Sequence, residues 1–365
     1  MKISVIVPMY NAERYITGCV DALLRQTIGD LEVIVVNDCS TDDSMALCQR
    51  RYGADPRVVL IQQPRNMGPG QARNAGMKAA RGEYMVFIDA DDGLLPEALK
   101  EMYDVAAATD ADVVHTGGFL VPYQTPVPDD LSTLKRSQLI KSYWDRGPCR
   151  DDLRMMEADM KTRLDNWMRH HYHWNAIAKL FRTAFIREQG VTFPDLPLSE
   201  DYCFVFHCML RAKRFAILHR CYYIYRICMD SLSRGSKTPA FLAKTLRALF
   251  GVSRPMERAM EGIPFFDEHP EYRDKIIDHS LSVLDDFYVT PALQGLGRAA
   301  AEADGTVREV FRSHFGYNAR CTANLFYSYH DTLPRTEDVM DRINQSDYWE
   351  NALASGALHL LEEDA

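Results

Sequence analysis

Apolar and polar positions follow two alternating rhythms over the first 120 residues. Residues 3–7 are a short, mostly apolar run of strand length. After Asn11, a residue suited to capping a helix, apolar side chains fall at Tyr15, Ile16, Cys19, Val20, Leu23 and Leu24. That i, i+4, i+8 double stripe predicts a helix laid against a sheet. Residues 33–36 predict the next buried strand, and Asn37-Asp38-Cys39-Ser40-Thr41-Asp42-Asp43 a turn that closes on good N-caps. A helix to about 52, a strand over 58–61, a Gly/Pro/Asn turn over 64–70, a helix to about 80 and a strand over 84–88 follow. Repeated strand–helix–strand units predict an α/β domain with a mostly parallel, doubly wound sheet. Such sheets bind ligands at the carboxyl ends of their strands. The unusual polar residues Tyr10, Asn11, Asp38 and Asp89 to Asp92 all fall there.

Residues 120–170 are less regular, with four prolines between Pro122 and Pro148 and then a charged, helical stretch. Compact apolar runs return over 174–235, around Phe193-Pro194 and across 215–218. Beyond about 240 the pattern is helical, with separators at Pro255, Pro264, Pro270 and Pro291. The expected organisation is a domain over 1–235, split into a nucleotide-binding half (1–120) and an acceptor half (121–235), followed by a helical C-terminal region over 236–365.

Composition narrows the partners. The chain has 365 residues, 47% of them hydrophobic and 25% charged, enough for a large core. A net charge of −9 without a basic block argues against nucleic acid. The start MKISVIVPMY is too short an apolar stretch for a secretory signal, and nowhere do 18 apolar residues run together. No membrane span is expected, while peripheral membrane contact stays open. Nine cysteines without a C-x-x-C pair read as reduced, packed thiols, and the expected location is cytoplasmic.

Phe87-Ile88-Asp89-Ala90-Asp91-Asp92 places three carboxylates directly after a buried strand. Grouped carboxylates repel, so the arrangement is costly without a cation. Hard ions such as Mg²⁺ or Mn²⁺ take oxygen ligands from one or two carboxylates plus substrate phosphates. The rival reading is a solvated acidic turn capping a helix that begins near Pro96. The surrounding motifs tip the balance. Ser4-Val5-Ile6-Val7-Pro8-Met9-Tyr10-Asn11, Val36-Asn37-Asp38-Cys39-Ser40-Thr41-Asp42, the segment Asn66 to Gly76 and Asp89 to Asp92 occur in an order and spacing that resemble family-2 glycosyltransferases of the GT-A fold. The likeness continues more loosely to about residue 235.

That resemblance implies donor-binding roles for Pro8, Tyr10, Asn11, Asp38, Arg73, Asp89 and Asp91. Pro8 and Tyr10 would flank the nucleobase, Asp38 would accept a hydrogen bond from its edge, and Arg73 would lie near base and diphosphate. Asp91 would face ribose or metal, and Asp92 would be the most direct metal ligand. Each has a blander counterpart: Tyr10 as a core aromatic, Asp38 as an Asx turn, Arg73 as a surface helix residue. Gly68 and Gly76 read as backbone devices with or without a ligand.

The second carboxylate site is Ser199-Glu200-Asp201. In the resembling family a Glu-Asp pair here supplies the general base, so Asp201 is the candidate base, with Glu200 assisting or binding the acceptor. Alternatively, Ser199 caps a helix whose positive end favours both acids. Trp174 could stack on a sugar or sit in the core, and Arg226 could meet a phosphate or a surface acid. Tyr223-Ile224-Tyr225-Arg226 and Ser231-Leu232-Ser233 resemble a loop that closes over the donor. His170-His171-Tyr172-His173 reads as structural rather than as a metal site, and Cys203 and Cys208 as packed.

Together these imply an inverting transfer from a nucleotide-sugar donor, a UDP-sugar before others, dependent on Mn²⁺ or Mg²⁺, to a surface polysaccharide, a lipid-linked glycan or a protein. The helical region could bind the acceptor or form a homo-oligomer. A sugar-nucleotide nucleotidyltransferase would open with a Gly-rich loop after the first strand, where this chain has Pro8-Met9-Tyr10-Asn11. A non-catalytic nucleotide-sugar binder is the remaining alternative.

Overall fold

The computed structural model describes residues 1–123, 126–143, 153–227, 238–289 and 291–292. The 231–233 segment, Pro148 and the part of the helical region after 292 lie outside the described residues. The chain divides into two compact units, one of Met1–Asp195 with Glu200–Ile227, the other of Leu196–Ser199 with Cys228–Ala365.

In the first unit, strands β1 (Ile3–Met9), β2 (Leu31–Asn37), β3 (Val58–Gln62) and β4 (Tyr84–Phe87) alternate with helices α1 (Ile16–Leu24), α2 (Ser44–Tyr52) and α3 (Pro69–Ala79). Then come β5 (Gly93–Leu94), α4 (Ala98–Thr109), β6 (Val113–Pro122), β7 (Leu139–Tyr143), β8 (Leu153–Met155), α5 (Met160–Met168), β9 (Lys179–Arg182), α6 (Thr183–Glu188), α7 (Glu200–Arg211) and β10 (Phe215–Ile224). They form one ten-stranded sheet ordered β3-β2-β1-β4-β9-β6-β10-β5, with β7 on β6 and β8 on β10. The sheet is mostly parallel, as the apolar runs predict. β1 pairs in parallel with β2 and β4, β2 with β3, and β6 with β10. The exception at its centre is β9, which runs antiparallel between β4 and β6.

One local expectation is corrected. Asn11 does not cap α1, which begins at Ile16 behind Tyr15. Asn11 instead adopts a left-handed φ of 49°, a conformation Asn tolerates, and its side-chain oxygen accepts from the Thr41 N–H at 2.8 Å. The β1–α1 loop is thereby tied to the β2–α2 loop. At the second helix, Asp42 takes the capping task, accepting from the Ser44 N–H at 3.0 Å.

In the second unit, α8 (Pro239–Gly251), α9 (Ser253–Met260), α10 (Pro264–Glu268) and α11 (Glu271–Leu284) are consistent with the helical pattern read from the sequence. Thr238 caps α8 through Phe241 N–H, and Pro239 and Pro264 occupy first-turn positions where no amide donor is needed. Among the described residues no helix is long and apolar enough to cross a membrane.

Candidate active site

The in-register pairing of β1 with β2 brings Met9 opposite Asn37, so the residues that follow, Tyr10 and Asp38, emerge side by side at the carboxyl edge. The Asp38 N–H donates to the Met9 carbonyl at 2.8 Å. Tyr10 is 49% exposed, which favours a ring available for stacking over a core aromatic; Pro8 is half-buried within β1. Asp38 is buried, and its two oxygens accept from the Met67 and Gly68 N–H groups, both at 2.8 Å. Gly68 has φ 86°, a left-handed conformation that favours glycine, and this brings its amide round to Asp38 ahead of α3. A carboxylate has about four lone-pair positions, so Asp38 keeps acceptor capacity while shaping the 67–68 loop.

Residues Asp89 to Asp92 form a hydrogen-bonded turn, with the Asp92 N–H donating to the Asp89 carbonyl at 3.0 Å. Ala90 and Asp91 are its central pair, and Asp91 is half-buried at the crest. Asp92, expected as the most direct metal ligand, is engaged beneath the turn. Its carboxylate is turned inward and 3% exposed, accepting from the Tyr223 hydroxyl at 2.6 Å and the Arg226 N–H at 2.7 Å. Burial, then the charges of Asp91 and Asp89, hold its carboxyl well above the usual carboxylate range. Asp91 and Asp89, hard oxygen donors by chemistry, are both half-buried. Among the described residues no three His, Cys, Asp or Glu side chains gather as a complete metal set. A site of one or two carboxylates completed by substrate phosphates fits these residues.

Arg73, on α3, joins the two acidic segments. Its Nη2 donates to Asp89 Oδ1 at 2.8 Å and its Nη1 to Glu200 Oε1 at 2.9 Å, while the guanidinium lies 5.5 Å from the centre of the Phe193 ring. It is buried rather than a surface helix residue, and its Nε makes no hydrogen bond among the described residues. Burial alone would weaken its proton affinity; the charges of Asp89, Glu200 and Asp201 more than reverse this. The close approach of α3 to α7 needs Gly70, where a Cβ would come within 2.7 Å of Glu200 Cγ. Asp201 is half-buried, and its carboxyl is desolvated. Burial, then the charge of Glu200, push it up to about 7 against the opposing pull of Arg73. Ser199 does not cap α7: it has φ 66° and a buried hydroxyl with no hydrogen bond among the described residues.

Other singled-out residues are placed as follows. Arg226 is buried and meets backbone: its Nε donates to the Asp91 carbonyl at 2.9 Å, its Nη2 to the Pro128 and Asp129 carbonyls at 2.7 and 2.9 Å, and it lies 4.5 Å over the Tyr15 ring. Trp174 is half-buried and stacks on His173, which is itself buried with its proton affinity lowered by desolvation. Lys179 lies buried in β9, its ammonium donating to the Asn175 carbonyl. Burial pushes it down to about 7, opposed by the charge of Asp201. Tyr223, expected in a loop that closes over the donor, lies instead on β10, and only the fold brings its hydroxyl under the acidic turn.

A mostly parallel sheet with an acidic turn at the end of β4 and a second carboxylate pair on α7 defines a domain of the GT-A type. Residues 4–147 match the model of Glycosyl transferase family 2. The chain is 31% identical over 241 residues to the uncharacterized glycosyltransferase EpsJ of Bacillus subtilis (strain 168), covering 65% of this chain and 64% of EpsJ. It is 29% identical over 228 residues to the poly(ribitol-phosphate) beta-N-acetylglucosaminyltransferase TarS of Staphylococcus aureus (strain Mu50 / ATCC 700699), covering 62% of this chain and 35% of TarS. The chain thus spans less than two thirds of the length of these curated relatives. The crystal structure of S. aureus TarS 1–349 in complex with UDP-GlcNAc has a TM-score of 0.64 at 21% identity, covering 98% of this chain and 92% of that one, a likeness of fold. Over residues 4–147 the chain is thus similar to Glycosyl transferase family 2.

Proposed function

We propose that this chain is an inverting glycosyltransferase that moves a sugar from a nucleotide donor, a UDP-sugar before others, to a hydroxyl of a glycan, lipid-linked or protein acceptor. The observation that carries this reading is Arg73, whose one guanidinium holds both Asp89 of the acidic turn and Glu200, the neighbour of Asp201. Donor-holding groups and a carboxylate of raised proton affinity thus meet at one edge of the sheet.

In this reading the β1 and β2 ends receive the nucleoside, with the Tyr10 ring offered for stacking and the Asp38-braced loop beside it. Asp91, with Asp89 next to it, holds Mn²⁺ or Mg²⁺ together with the donor diphosphate. The cation, when bound, neutralises charge on the departing nucleoside diphosphate. Asp201 takes the acceptor proton as the acceptor oxygen attacks the anomeric carbon and the bond to the diphosphate breaks, giving inversion. Glu200 serves as the counter-ion of Arg73 and keeps that base oriented. UDP comes first because the TarS structures hold UDP and UDP-GlcNAc.

The test is a screen of UDP- and GDP-sugars for Mn²⁺-dependent release of nucleoside diphosphate, with and without chelator. Release from one donor, lost on chelation and restored by Mn²⁺, is expected. Donor-induced thermal stabilisation without turnover of any sugar would instead make the chain a binder.

A further inference from the structure

The acidic turn is held from beneath by a strand far along the chain. The Tyr223 hydroxyl, fully buried on β10, sits at its base and serves both ends: it accepts from the Asp89 N–H at 3.1 Å and donates to Asp92 Oδ2 at 2.6 Å. Three residues on, the Arg226 N–H donates to Asp92 Oδ1 at 2.7 Å and its Nε to the Asp91 carbonyl at 2.9 Å. The turn is closed internally by Asp92 N–H to the Asp89 carbonyl at 3.0 Å, and β5, which follows it, pairs antiparallel with Tyr223 and Ile224. Each residue from Asp89 to Asp92, apart from Ala90, is therefore tied to the end of β10.

We propose that Tyr223 and Asp92 are positioning residues for cation and donor binding, a buried buckle that sets the turn in the shape presenting Asp91, with Asp92 itself not a ligand. The proposal rests on the cation-dependent donor site above. Its physical ground is that ligating carboxylates depend on the hydrogen bonds that orient them, and loss of such an outer partner typically costs about 10- to 100-fold in metal affinity. The hydroxyl of Tyr223 is well suited to the task because it donates and accepts at once, and a single atom fixes the distance between the two ends of the turn.

The experiment is Mn²⁺ binding to the full chain in the presence of UDP, followed by the loss of the free-Mn²⁺ electron paramagnetic resonance signal, with thermal melting as the folding control. Tyr223→Phe removes one oxygen and leaves every carboxylate in place. It is expected to melt cooperatively and to weaken Mn²⁺ binding about tenfold, whereas Asp91→Asn abolishes it. Unchanged or tighter binding by Tyr223→Phe overturns the proposal, because a directly ligating Asp92 would be freed by losing its hydroxyl partner. If Tyr223→Phe does not fold, Asp92→Asn decides: about tenfold weakening is expected, and a loss as complete as that of Asp91→Asn overturns it. Failure of the wild-type chain to take up Mn²⁺ with UDP would instead sink the donor-site reading on which the proposal rests.

Discussion

Arg73 and Glu200, 127 residues apart in sequence, form a buried ion pair of 2.9 Å across the foot of α3 and α7. The same guanidinium holds Asp89, so one cation balances acids from two motifs that read separately along the chain.

Arg73→Met should therefore disturb both. It leaves Glu200 buried without its partner, and breaking such a pair costs about 3 kcal/mol in folding stability, measurable by urea denaturation. In turnover assays, the acid limb of the kcat/KM profile should move to higher pH, since Arg73 is the charge that draws the Asp201 proton affinity down. A limb that stays in place would uncouple Arg73 from the base.

Asp201→Asn should lower kcat by about 10²- to 10⁴-fold, the usual contribution of a positioned base, while UDP affinity measured by calorimetry is retained. In the wild-type chain, kcat/KM should rise as pH passes about 7, because the base works ionised. Stability should run the other way. With its folded pKa raised above the ordinary carboxylate value, Asp201 adds stability that is fully present below that value and is lost as pH rises through about 7. Asp201→Asn should accordingly raise Tm at pH 8 and leave it nearly unchanged near pH 4.

Asp38→Ala removes the acceptor of two backbone N–H groups. Orphaning them should cost about 2 kcal/mol in urea denaturation and weaken UDP binding through the loosened 67–68 loop. A variant with normal stability but lost UDP affinity would put the carboxylate on the nucleobase itself, as the family likeness implies.

The first four strands and three helices were legible because each is a local pattern, an apolar run or a helical stripe between turn residues. The acidic turn is legible as grouped carboxylates for the same reason, and as a candidate site only through the motifs around it. Which of its acids faces inward was not, because Asp92 turns toward Tyr223 and Arg226, more than 130 residues away, and periodicity says nothing of such partners. Arg73 reads as donor-binding by resemblance, and its bridge between Asp89 and Glu200 is hidden from the sequence for an equivalent reason. Asn11 sat where an N-cap belongs, and only the neighbouring β2–α2 loop showed where its side chain goes. The four-residue β9 carries no alternation long enough to declare a strand, still less its direction.

That small strand has a consequence for how the molecule is made. β4 finds its second neighbour only when Lys179–Arg182 has been synthesised, and β6 closes on the other side of the same four residues. Until then a nascent chain carries an unpaired, wholly apolar Tyr84–Phe87 edge, a template for pairing with other chains. A truncation ending before residue 179 should therefore aggregate although it contains every element of the nucleotide-binding half. The seam at the centre of the sheet is zipped only after β4 and β6 have both been made.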